Sequence, residues 1–157
     1  MTFSDSKRCI KLFLTAAVML SASSSFAKEA GLMKLPTTRE GNYAVAQKFA
    51  HCGGHFEFAA ILARRNEMND AATAFEDQAR GWKLPGMFFL AEAMSDDRAT
   101  ETEKTFDALV YAKVSQLKAL HEVDPSSSGN DAIKEYNENC LPLLPTQKKM
   151  VELFRRG

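Results

Sequence analysis

A chain of 157 residues, 45% of them hydrophobic and 25% charged, has the length and make-up of one globular domain. That composition excludes a disordered or fibrous chain, and twenty basic against twenty acidic residues give no electrostatic case for nucleic acid or anionic lipid.

The first 27 residues have the three parts of an export signal. Lys7, Arg8 and Lys11 form a positive start, Leu12 to Leu20 an apolar run, and Ser25-Phe26-Ala27 a small-x-small cleavage site before Lys28. The run is too short for a membrane span, which takes about 20 apolar residues, and Cys9 precedes it rather than following it as a lipoprotein cysteine would. Residues 1–27 therefore read as a cleavable signal peptide and 28–157 as a single helical domain, periplasmic or secreted, with no stable membrane insertion after cleavage. Cleavage removes three basic residues and Asp5, leaving 17 basic and 19 acidic.

Two cysteines then remain, Cys52 and Cys140. An even count in an oxidising compartment reads as a disulfide, with two buried free thiols as the alternative. No Cys-x-x-Cys is present to favour a metal.

Thr37-x-x-Glu40 fits a capping box and is followed by a helical stripe, Val45, Phe49, Cys52, Phe56, Ala59 and Ala63. Phe58, Ile61 and Leu62 widen it. Arg64 and Arg65 suit its C-terminal dipole, and residues 66–69 read as a turn. A second helix starts near Asn69 with Ala71, Ala72, Phe75, Ala79 and Trp82 on one side. Gly81 and Lys83-Leu84-Pro85-Gly86 predict a break or kink.

Met87 to Met94 is apolar again. Thr100-x-x-Glu103 opens a long helix with Phe106, Leu109, Val110, Val114, Leu117 and Leu120. Asp124 to Gly129 is a loop. Asp131 to Asn139 is a short helix carrying Ile133 and Tyr136 on the side of Cys140. Leu141-Pro142-Leu143-Leu144-Pro145 reads as irregular chain pinned to the core, and Thr146 as the cap of a last amphipathic turn or two with Met150, Val151, Leu153 and Phe154. No period-two alternation appears. The expected fold is all-α: a compact bundle of four to six helices, with one disulfide linking the first helix to the C-terminal segment.

Chemistry has few places to reside. His51 and His55 stand one helical turn apart, as metal-binding histidines on a helix do. Cys52, however, occupies the place of the zincin glutamate, and a third ligand has to be found, with Glu57 and Glu92 as candidates. Gly53-Gly54 inside a helix costs about 1 kcal/mol per residue relative to alanine, which predicts either close passage of another backbone or a ligand pocket. His121, Glu122 and Asp124 suit a helix end, and Ser126 to Ser128 lacks the frame of a nucleophile elbow. No phosphate loop or dinucleotide fingerprint is present, so no cofactor is expected.

The many aromatics fit a core, with a remainder near Trp82, Phe88 and Phe89 able to line a groove. Two function classes follow. The first is an exported, non-catalytic helical protein that binds another protein in the bacterial envelope, of the inhibitor, immunity, adaptor or assembly-factor type, with Gly53, Gly54, Trp82, Phe88 and Phe89 as binding candidates. The second is a small metal- or ligand-binding protein, with an enzyme as its extreme case, built on His51, His55 and Gly53-Gly54.

Overall fold

The computed structural model describes Met33, residues 35–94 and residues 99–156. The leader expected over 1–27 lies outside the described residues. Helix α1 spans Arg39–Arg65. Its cap is Thr38, one residue after the expected Thr37: the Thr38 hydroxyl accepts from the Gly41 N–H at 3.1 Å, leaving Glu40 to favour the dipole from the first turn. At the other end the Asn66 side chain donates to the Leu62 carbonyl at 2.7 Å. Glu67 turns the chain at a left-handed φ of 60°, so that Met68 N–H reaches back to the Ala63 carbonyl.

Helix α2 spans Asn69–Met94 and runs through Pro85 without the break that the sequence allowed there. Two contacts explain it. Pro85 has no N–H for the carbonyl four residues back, Gly81; the Gln147 side chain donates to that carbonyl instead, at 2.8 Å. Gly86 lies beneath the Phe106 ring, where a Cβ would overlap the ring and sit 3.0 Å from Phe49 Cβ. Helix α3 spans Ala99–Val123, so Thr100 lies inside its first turn and is not its cap.

Helix α4 covers Ser128–Asn139, starting earlier than expected. Asp124 prepares it: its carboxylate accepts from the backbone N–H groups of Ser126 and Ser127 and from both hydroxyls, which hold it below the usual carboxylate range. The segment expected to be irregular is helical throughout, a 3-10 turn over Leu141–Leu143 followed by α5, Leu144–Arg156. Pro145 falls in the first turn of α5, where its missing N–H would be unpaired anyway. Thr146 is not a cap but a buried residue whose hydroxyl accepts from Met33 N–H at 3.0 Å.

The described residues thus form an all-α bundle with no strand. Its main core lies between α1 and α2, where Phe49 meets Trp82 and Phe89 at ring-centroid distances of 5.5 and 5.7 Å. A second, smaller cluster joins Phe58 and Leu62 of α1 to Leu117 and Ala132. The Cys52–Cys140 disulfide ties α1 to the C-terminal segment, its Cα atoms 5.6 Å apart. No described helix is long and apolar enough to cross a membrane.

Candidate functional site

Gly54 decides how closely α3 approaches α1. A Cβ there would stand 2.8 Å from Lys113 Cβ and 3.2 Å from the Val110 carbonyl. The double glycine is therefore covered by packed helix: Gly54 by α3, and Gly53 by Trp82 Cβ at 3.6 Å and the Ala79 carbonyl at 3.8 Å. Gly53 also borders a small cleft of about 150 Å³ with Glu57, Lys83 and Asp107.

That close approach lays the Lys113 stem along α1 and carries its ammonium to Glu135 of α4. The Lys113 side chain is only 3% exposed, and Nζ lies 2.6 and 2.7 Å from the two Glu135 oxygens. It also donates to Gln116 Oε1 at 3.1 Å.

The two histidines of α1 converge on the same carboxylate. His51 Nε2 is 2.7 Å from Glu135 Oε1 and His55 Nε2 is 3.7 Å from Oε2. An ionised carboxylate only accepts, so the neutral His51 ring donates from Nε2. His55 is 2% exposed, and neither of its ring nitrogens has a hydrogen-bond partner among the described residues. Its ring sits edge-on to Tyr136, whose buried hydroxyl is likewise without a hydrogen bond. Unpaired buried polar atoms are rare and call for an explanation.

Electrostatics keep both imidazoles neutral. Burial, seconded by the Lys113 charge, lowers the pKa of His55 to about 3, and the same two causes lower that of His51 against the pull of Glu135. Glu135 is held below its ordinary value: partial burial opposes ionisation, but the hydrogen bonds from Lys113 and His51 outweigh it. Burial pushes the Tyr136 phenol up.

One ligand atom from each of His51, His55 and Glu135 can be chosen so that all lie within 4.8 Å of one another. Ligands around a tetrahedral zinc ion stand about 3.4 Å apart, given bonds of about 2.0–2.2 Å. His51 and Glu135 also line an open cleft of about 750 Å³, bounded by Lys48, Glu138, Asn139 and Leu143 among others. The carboxylate that the fold brings to the two histidines is thus Glu135, not Glu57, which faces the smaller cleft, nor Glu92, which is exposed. The sequence carried one signal for it: Glu135 stands five residues before Cys140 and His51 one before Cys52, so the bridge that joins the cysteines also brings these two together.

The other sequence candidates scatter. Trp82 and Phe89 are buried in the core, each 1% exposed, so neither presents a surface to a partner. Phe88 is exposed and meets Phe154 of α5 at 6.0 Å between centroids. His121 bonds the Ser128 hydroxyl at 2.9 Å. Comparison with models of protein families, with curated proteins and with solved structures finds no match to this chain.

Proposed function

We propose that this is an exported, disulfide-tied helical protein that binds a divalent transition-metal ion through His51, His55 and Glu135. The observation that carries the reading is the buried His55, whose unpaired Nε2 faces a carboxylate shared with His51. Neutral imidazoles are the form that ligates, and two imidazoles with one carboxylate suit zinc or copper. Three protein ligands leave a coordination position open towards the cleft. An ion on His51 Nε2 replaces the hydrogen bond to Glu135, with the ring proton on Nδ1. Export rests on the leader at 1–27, and the disulfide accords with an oxidising compartment, either the periplasm or the exterior.

Calorimetric titration of zinc into protein purified without a histidine tag is expected to show one ion per chain, lost in His55→Ala. Absence of binding by the native protein overturns the metal reading. Mass spectrometry of the protein from the producing cell is expected to find Lys28 at the N-terminus; an intact leader overturns export.

A second reading, binding of another envelope protein, keeps one specific observation. Leu84, Phe88 and Phe154 are 53%, 40% and 43% exposed; Phe88 and Phe154 touch, and Leu84 lies one turn before Phe88. Exposed apolar patches mark partner sites. A photo-crosslinker at Phe88 is expected to give one discrete adduct in cells, abolished by Phe154→Asp; no adduct counts against this reading.

A further inference from the structure

We propose that Lys113 is a built-in competitor for the metal site, which makes the bound ion exchangeable rather than permanent. The inference rests on the metal reading and concerns the affinity of the same three ligands.

The ammonium already pairs with the carboxylate that the ion would need. It lies within 2.7 Å of both Glu135 oxygens, so an ion can take that carboxylate only by displacing or crowding a positive charge. A metal-bound carboxylate is ordinarily hydrogen-bonded by a further group that orients it; here that group carries the same sign as the ion, and like charges a few ångström apart repel strongly where water is scarce. Lys113 cannot retreat into solvent, since its side chain is 3% exposed and its stem lies against Gly54.

One retreat is available within reach. Gln116, one turn along α3, presents Oε1 at 3.1 Å from Nζ. Binding is therefore an exchange of partners: the ion takes Glu135 with the two imidazoles, and the Lys113 ammonium keeps Gln116. Gln116 thereby favours the loaded state without touching the ion, and Lys113 opposes it. The design suits a protein that passes its ion on.

The test is zinc affinity of the exported, oxidised protein, measured for the native chain, Lys113→Met, Gln116→Leu and the double variant. Lys113→Met is expected to bind at least tenfold tighter. Gln116→Leu is expected to weaken binding several-fold in the native background and to change nothing once Lys113 is gone, a pattern that a merely structural role for Gln116 would not give. Lys113→Gln serves if the methionine variant does not fold.

The possible failures separate. Native binding with no gain in the Lys113 variants overturns the competition and leaves the metal reading standing. Binding by the Lys113 variants alone supports the competition and overturns metal binding by the native protein. Binding by neither overturns both.

Discussion

The two seams that α1 makes with its neighbours are built on opposite principles. Towards α2 it buries Phe49, Ala59 and Ala63 against Phe75, Trp82 and Phe89, an apolar seam closed by shape. Towards α3 and α4, beyond the small apolar cluster of Phe58, Leu62, Leu117 and Ala132, it presents His51, His55 and the disulfide to Lys113, Glu135 and Tyr136, a polar seam held by charge and one covalent bond. The polar seam leaves His55 without a hydrogen-bond partner among the described residues, at a cost that a purely structural joint has no reason to bear.

The comparison can be broken most severely at the bridge. Replacing Cys52 and Cys140 together by alanine removes a link across 88 positions, and denaturant unfolding is expected to show a loss of about 4–5 kcal/mol. The apolar seam answers next: Trp82→Ala, which empties a site now 1% exposed, is expected to cost about 3–5 kcal/mol while leaving zinc affinity unchanged in the protein that remains folded.

Gln147→Leu probes the repair of α2. It strips the Gly81 carbonyl of the side-chain donor that stands in for the missing Pro85 N–H, and a loss of about 1–2 kcal/mol is expected in thermal unfolding. Equal stability of this variant would mean that the proline is accommodated by other means.

The last test sharpens the polar seam through pH. The folded pKa of His55 is lowered to about 3, so below its ordinary 6.5 the unfolded chain takes up a proton that the folded chain refuses. Stability is complete above pH 6.5 and falls as the pH drops towards 3, with a slope of up to about 1.4 kcal/mol per pH unit for this group. His51 acts in the same direction. Urea midpoints at pH 7 and 5, above the carboxylate range, are expected to differ less in His55→Leu than in the native protein.

The apolar seam was legible in the sequence because burial there follows the helical period. Val45, Phe49, Cys52, Phe56, Ala59 and Ala63 are all buried as that period requires. The polar seam was only half legible. His51 and His55 stand out as a pair, but Lys113 and Glu135 read as surface charges, since nothing local tells a buried lysine from a solvated one. Lys113 becomes buried only because Gly54 lets α3 come close, and that is a property of two helices at once. Pro85 misled for the same reason: its local rule is sound, and the remedy sits 62 positions later at Gln147. Leu120, assigned to a buried stripe, is 49% exposed, while the next residue, His121, packs against Phe58.

The placing of the disulfide also orders events in time. Helix α4 has 12 residues, about the length at which an isolated helix is marginal in water. It carries Glu135 to a partner 84 positions upstream. The joint that seats it, Cys52 to Cys140, can close only once nearly the whole chain is present and an oxidant is at hand. The two histidines, Glu135 and the bridge share that joint, so the protein would mature in one step, from a chain whose histidines and carboxylate lie far apart to one in which they meet.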